Sequence, residues 1–500
     1  MAEQKKTEGN ALFKSRNFEQ AILKYTEGLE CCPQDDKDTL ALLHQNRAAA
    51  YEAVGEMERC LQDCDDALAA NNRYVKALVR RSRVLEKQGD LLGALRDLTL
   101  SSFLGQNFCM DSFQRAQLLL MKLSSERAAL FLCAREPVMP SNSFIKSFFA
   151  LFTQDPMVNW NGTNCTETTA AAGDTSRDDA SFVQACRLYR ENRFKEIIGV
   201  LNEVVARGSG EPYYFEALSS RAIFHLLRGD TQRALEDLNE VIKEPTITPE
   251  LRSNALIKRA TVYLFNDNFN ESRQALDEAV SCCPKNPDAL LHRGQLSVFQ
   301  ERFSDAVNDF DAAKDCGGEE SVSEMQKAFS QVRMKMREGT TAMKSAIDQL
   351  IECCEKYPDR PDALVLCAQS LNVQGQKQKA AELFRKSLEL DPENVGIEVH
   401  LRILEGDLNQ DVEGTIEKLE ALGQKDPTCQ LVFETLGPMY LRQGEVKKAL
   451  GAFDRALVVA YNQKEVKQLL MLKTMTEVHL MISEQYPDLA KLPLQFLPQQ

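Results

Sequence analysis

Residues 21–33 read Ala21-Ile-Leu-Lys-Tyr25-Thr-Glu-Gly28-Leu-Glu-Cys-Cys-Pro33, and this spacing returns along the chain. A small residue is followed four positions on by an aromatic, three further by another small residue, and five further by proline. The frame recurs at Ala306, Phe310 and Ala313 behind Gly294, and at Ala380, Phe384 and Pro392 behind Ala368. Residues three and four apart lie on one face of a helix, and proline ends one. Each copy therefore marks the second helix of a helix pair about 34 residues long, a unit too small to bury its own apolar face. Such units must stack. The spacing predicts an all-α chain, an α-solenoid of helix pairs whose first helices form a concave wall.

Composition sets the bounds. At 500 residues the chain is too long for one core. A hydrophobic content of 43% and a charged content of 27% fit a soluble helical protein. A net charge of −14 argues against nucleic acid as the main partner, since phosphate contacts need a basic surface. The 15 cysteines read as packing residues, not as disulfides or metal ligands. Cys31-Cys32, Cys282-Cys283 and Cys353-Cys354 occupy one place in their units, shortly before Pro33, Pro284 and Pro358, and the histidines are scattered. Free thiols in this number fit a reducing compartment. No metal or other cofactor is expected. There is no signal peptide and no 18-residue apolar run. Asn161-Gly-Thr163 and Asn164-Cys-Thr166 match the glycosylation pattern, but nothing else suggests secretion.

The first helices begin at Ala2, Ala41 and Val75 in a first block, with the surplus between the first two in the polar stretch Gln34 to Thr39. The pattern then stops. Phe113 to Leu132 is predicted as one helix carrying Leu118, Leu119, Met121 and Leu123; Arg135-Glu-Pro-Val-Met-Pro140 breaks it, and Phe144 to Phe152 forms a short aromatic helix. Asn159 to Asp179 reads as a flexible loop in which Trp160 is incidental. Units resume near Ser181 and start near Phe215, Ser253, Pro287, Pro361 and Gln430, with weaker ones between. Pro438 is expected to kink or shorten the first helix of the last unit. Glu465 to Gln485 reads as a capping helix. The expected division is 1–135, three units plus a connecting helix; 136–180, a proline and aromatic segment with the loop; and 181–500, the second array. About 11 units are expected in two blocks.

Positions two, five, six and nine of each first helix share one face. In the first block that face carries Lys6 and Asn10, then Asn46, then Lys76 and Arg80. Three cations and two amides on one groove suit a peptide ending in an acidic residue, whose terminus bears two carboxylates. Leu12, Phe13, Tyr25, Tyr51 and Leu68 fall at core spacing.

These residues carry a resemblance. The period is that of the tetratricopeptide unit. Lys6-x-x-x-Asn10, Asn46 and Lys76-x-x-x-Arg80 resemble the dicarboxylate clamp of chaperone-binding tetratricopeptide domains, which grip the Glu-Glu-Val-Asp end of the seventy- and ninety-kilodalton heat-shock chaperones. The ordered stretches Tyr74-Val-Lys-Ala-Leu-Val-Arg-Arg81, Arg135 to Pro140 with Phe144-Ile-Lys-Ser-Phe148, Asn254-Ala-Leu-Ile-Lys-Arg259 and His292-Arg-Gly-Gln-Leu296 are similar to the tetratricopeptide receptor of the mitochondrial outer-membrane translocase. That resemblance implies docking of chaperones by the first block, a pocket for internal signals of precursors (notably carrier proteins) in the second, and contacts with other translocase subunits. It also implies a place on the cytosolic face of the outer membrane, held by an anchor that this sequence does not show. Without an anchor the chain would be cytosolic.

The same face rule gives the second block Ser219, Ser220, Asn254, Lys258, Asp288, His292, Gln295, Asp362, Gln369 and Glu434 as a polar wall with an acidic excess, suited to a basic, amphipathic peptide. Arg259 and Arg293, at position seven, are expected to bond between helices. A cytosolic co-chaperone joining chaperones to clients is the competing reading. An enzyme with a repeat module is disfavoured, since the repeats leave no room for a catalytic domain and no Walker loop, nucleophile elbow or metal motif is present.

Overall fold

A computed structural model describes residues 1–104, 110–136, 138–160, 181–335 and 340–489. Among them are 25 α-helices and no strand. The first three pairs are α1 (Ala2–Lys14) with α2 (Phe18–Glu30), α3 (Lys37–Val54) with α4 (Met57–Ala70), and α5 (Val75–Gln88) with α6 (Leu91–Leu104). Two helices interrupt the series, α7 (Met110–Ala134) and α8 (Asn142–Phe149). Pairing resumes with α9 (Phe182–Arg190) and α10 (Phe194–Ala206), α11 (Tyr214–Leu227) and α12 (Thr231–Lys243), and α13 (Pro249–Phe265) and α14 (Phe269–Cys282). Next come α15 (Pro287–Phe299) and α16 (Phe303–Asp315), α17 (Glu320–Lys335) and α18 (Thr340–Lys356), and α19 (Pro361–Val373) and α20 (Lys377–Leu390). The last are α21 (Val395–Asn409) and α22 (Val412–Lys425), α23 (Gln430–Arg442) and α24 (Val446–Val459), then the single α25 (Gln463–Gln485). Three pairs precede the interruption and eight follow it, as the repeat frame predicts.

The signature has a steric meaning. The glycine at position eight of a first helix lies under the aromatic of the second. A Cβ on Gly9 would sit 2.5 Å from Tyr25, and one on Gly294 would sit 2.6 Å from Phe310. The small residue lets the two helices close on a fully buried ring. Gly55 and Gly89 end α3 and α5 at φ 87° and 86°, a left-handed conformation that glycine adopts at little cost.

A second rule links the helices of four of the pairs. The arginine at position seven clasps the acid 16 residues on: Arg47 with Asp63 (2.8 and 2.7 Å), Arg81 with Asp97 (2.6 and 2.9 Å), Arg221 with Asp237 (2.8 and 2.6 Å) and Arg293 with Asp309 (3.0 and 2.6 Å). These are two-point guanidinium–carboxylate bonds to buried acids. Burial would raise the Asp63 carboxyl, but bonds from Arg47 and His44 hold it below the usual range. Arg81 and Arg293 also reach back to Asp65 and Asp277 on the preceding second helix, at 2.7 and 3.1 Å. Arg259 bonds Glu278 at 2.7 Å and Asn239 at 3.3 Å.

The chain forms two compact units, Met1–Phe131 with Lys467–Gln500, and Leu132–Val466. This differs from the expected division, which joined everything after 181. In the first unit Met475, Val478, Ile482 and Tyr486 of the chain's last part share a core with Leu98, Leu119 and Leu123. Tyr486 Oη donates to the Asn72 carbonyl at 2.7 Å. The stretch read as a cap of the second array is therefore, from Lys467 on, part of the first unit. On α7, Leu119 and Leu123 are buried while Leu118 and Met121 are exposed.

In the second unit the core holds α8 and the turns after it: Ile145, Phe149, Phe152, Met157 and Trp160 join Phe182, Ile197 and Phe224. Trp160 is not incidental. Its ring meets Tyr213 at 5.2 Å and Phe182 at 6.0 Å, edge to face. Residues 161–180, most of the expected loop, lie outside the described residues. Pro438 does not end its helix; α23 continues to Arg442, with Gly437 close against Phe453 of α24. No helix among the described residues is long and apolar enough to cross a membrane.

Candidate functional site

In the first unit, one hydrogen bond ties the inner faces of two successive pairs. Asn46 Nδ2 on α3 donates to Asn10 Oδ1 on α1 at 3.1 Å. The same Oδ1 accepts from Tyr25 Oη at 2.8 Å. Burial of Tyr25 pushes its hydroxyl up to about 12, so it stays a donor at neutral pH. Asn10 is thereby oriented, and its amide nitrogen makes no bond to a described residue.

The third pair joins through Arg80 on α5. Its Nε donates to Glu52 Oε2 at 2.8 Å, and its Nη1 to the Gln45 carbonyl at 3.1 Å and to Gln45 Oε1. Gln45 precedes Asn46, so Arg80, Asn46 and Asn10 follow one another across three helices. Lys6 and Lys76 stand one turn before Asn10 and Arg80 on the same helix faces. Lys76 is exposed and pairs with no described residue. Lys6 pairs with Glu3, whose side chain is 70% exposed, a contact worth little in water. Of the three cations, then, one is open, one is held by a solvated acid and one is fixed by Glu52 and Gln45. The face rule missed those last two as site residues. Gln45 sits at an inward position and could have been found; Glu52, at position twelve, gives no signal.

His44, Asp63 and Asp66 also stand together, with ligand atoms all within 4.8 Å of one another. Both Asp63 oxygens receive the Arg47 guanidinium, which already fills the role of a cation there.

In the second unit the predicted wall is largely covered by the chain itself. Ser219, Ser220, Asn254, Lys258, Asp288 and His292 are all buried. Lys258, with 0% of its side chain exposed, bonds Asp155 Oδ2 at 2.5 Å and donates to Ser219 Oγ at 2.8 Å. Burial drives its pKa down and Asp155 opposes this. Asp288 accepts from Thr153 Oγ1 at 2.6 Å and from the Gln154 amide at 2.8 Å. His292 donates from Nε2 to the Leu151 carbonyl at 2.8 Å and stacks on Phe152 at 5.0 Å. Its burial holds it below the ordinary histidine range, in the neutral form. These six were expected as open lining. For three of them the cause is plain: residues 151–155 engage Lys258, Asp288 and His292 from within the chain, while Ser219 is bonded by Asn254 and Lys258 of the same wall.

What stays open is a cavity of 730 Å³ beside that segment. Gln295, Asp362 and the edge of Asp288 line it together with Lys146, Leu151 and Met325. Asp362 is engaged by Arg360 at 3.1 and 2.9 Å. Glu434 lines a different, smaller cavity, and Gln369 is exposed and lines neither.

Fold and faces together define a tetratricopeptide-repeat protein with polar inner helix faces. A tetratricopeptide repeat family model matches residues 362–394. The chain is 32% identical to human mitochondrial import receptor subunit TOM70 over 493 residues, covering 97% of this chain and 80% of the relative. The TOM70 subunit of Saccharomyces cerevisiae S288c is 24% identical over 504 residues, covering 93% and 78%. Among solved structures, that of yeast Tom70 shares the fold at a TM-score of 0.53 and 21% identity, covering 98% of each chain. The chain belongs to the TOM70 family of mitochondrial import receptor subunits.

Proposed function

We propose that the chain is a receptor for mitochondrial precursor proteins at the outer membrane, with one dock for chaperones and one pocket for precursors. The dock is the inner face of the first three pairs, and its ligand is the acidic C-terminal peptide of seventy- and ninety-kilodalton heat-shock chaperones. The Asn46–Asn10 hydrogen bond at 3.1 Å carries this reading, because it puts two of the five residues on one continuous face that Arg80 extends. Lysine and arginine supply charge-assisted bonds to two carboxylates, and the asparagines supply a donor and an acceptor to peptide backbone. Affinity on the order of 1–100 μM follows once ordering costs are subtracted. The pocket is the 730 Å³ cavity of the second unit, and its ligands are internal targeting segments, carrier proteins among them. Two sites on one chain raise the effective concentration of a delivered client.

An octapeptide ending in aspartate should bind, and its C-terminal amide should bind at least about tenfold more weakly, as expected when one charged hydrogen bond is lost. Equal binding of acid and amide in a fluorescence titration rejects a grip on the main-chain carboxylate. Glu52 sets a further expectation. Glu52→Gln keeps an acceptor for Arg80 Nε but removes the charge that competes with the ligand, so the octapeptide should bind up to about fivefold tighter, the scale of a partly exposed pair. Weaker binding in that titration would mean that Glu52 serves the site through its charge. For the pocket, a photo-crosslinkable carrier peptide should label residues between Lys146 and His400, the span of the cavity's lining; capture confined to residues before Arg135 removes the second site.

A further inference from the structure

A separate cavity of 290 Å³ opens in the second unit, walled by Phe144, Gly396, Cys429 and Tyr461 among others. Two carboxylates enter this mainly apolar space, Glu434 from α23 and Glu465 from the first turn of α25. Among the described residues no lysine or arginine lines it. Neither carboxylate makes an ion pair with a described residue. Gln430 Nε2 reaches Glu434 Oε2 at 3.5 Å, a long contact. Glu465 Oε2 is wholly buried and has no hydrogen-bond partner among the described residues. The cation acting on Glu465 from outside is Arg135, and its guanidinium is already spent on the carbonyls of Ala460 and Arg228.

Burial lifts both carboxyls above their usual range; hydrogen bonds from Asn462 and Gln430 oppose this at Glu465 without cancelling it, and the Glu434 charge adds to the rise. The other titratable groups facing the cavity, Tyr461 and Cys429, are likewise pushed up by burial and carry no compensating positive charge. Two half-buried acids side by side, with no cation among the described residues bonded to either, are costly to ionise. The site is short of one positive charge. Its volume is about ten times the ~30 Å³ share of one water, room for the end of a long side chain.

We propose that this cavity is a binding site for a single basic side chain, an ammonium or guanidinium group carried by a peptide. The inference rests on the precursor reading for its choice of a peptide, but its charge argument is independent of the 730 Å³ cavity. It makes the second unit selective for a cation at one position of an otherwise apolar segment. The sign of the pH dependence follows. A carboxyl whose folded pKa is raised is protonated at low pH, so cation binding there must expel a proton. Affinity for the cation therefore rises with pH as these acids ionise. Without ligand, stability falls as pH climbs from the unfolded glutamate value of about 4.3 through the raised folded value. Glu465→Gln should then melt higher than the parent at pH 8.

The test uses the full chain and a fluorescein-labelled amphipathic peptide of leucine, alanine and glutamine with one central lysine, against the same peptide with norleucine there. The lysine peptide should bind about tenfold tighter or more to the parent chain, on the scale of one charged hydrogen bond. That ratio should fall to near one in Glu434→Gln and in Glu465→Gln, with norleucine affinity unchanged. Glu434→Gln, on another helix, carries the test if Glu465→Gln fails to fold. A ratio unchanged by both variants, or near one in the parent, overturns the cation site while leaving the precursor pocket standing. Absence of binding by either peptide overturns both.

Discussion

Alanine at position 80 should weaken the acidic octapeptide by about 13- to 150-fold, the equivalent of one charged hydrogen bond of about 1.5–3 kcal/mol. Arg80 is the best-held cation of the dock. Glu52 fixes its Nε at 2.8 Å and the Gln45 carbonyl its Nη1 at 3.1 Å, so the guanidinium enters binding already ordered. Ordering a free arginine would consume part of the gain. Lysine cannot substitute, since a point charge on a flexible stem satisfies neither Glu52 nor Gln45 in a fork. Arg80→Lys should thus lie near the alanine variant, and Lys6→Ala, whose cation pairs with the exposed Glu3, should cost less. Isothermal titration of the three variants orders these effects. Full affinity in Arg80→Ala would remove the dock.

The features readable in advance were those that repeat. A period of about 34 residues gave the helix pairs because glycine and aromatic must meet wherever two helices close, as Gly294 meets Phe310. Position seven was legible for the same reason: the arginines there at 47, 81, 221, 259 and 293 each find an acid on the next helix. Helix periodicity was enough to put Lys6, Asn10, Asn46, Lys76 and Arg80 on inward positions of their helices. Periodicity reports which face a residue occupies and says nothing of what covers that face. Thr153 meets Asp288 across 135 residues of sequence, and Leu151 meets His292 across 141, and no local pattern encodes either contact. Trp160 was misread for the same cause, since its partners Phe182 and Tyr213 lie beyond a stretch without periodicity. Pro438 shows the opposite case. A local rule was readable and tertiary packing overrode it, with α24 holding the helix against the loss of one backbone donor.

Removing the Lys258 amine alone should be the most damaging single change in the second unit. Lys258 and Asp155 are both 0% exposed and 2.5 Å apart. Breaking a buried pair from one side typically costs about 3–5 kcal/mol, because the remaining charge has no water to turn to. Lys258→Met should therefore unfold at lower urea, and Trp160, the one tryptophan of the chain, reports it because it sits in the same core as Asp155's segment. Neutralising both partners should recover most of the loss. The second change must be Asp155→Asn rather than leucine, because Asp155 Oδ1 also accepts from the amides of Met157 at 2.7 Å and Val158 at 3.2 Å. An asparagine keeps that acceptor; an aliphatic residue would orphan two buried donors at about 1–3 kcal/mol each. The doubly neutral chain should then approach parental stability, as buried pairs commonly add little net stability. If Lys258→Met alone matched the parent in urea, the pair would not be what seals residues 151–155 against the inner face, and the covering of that wall would need another cause.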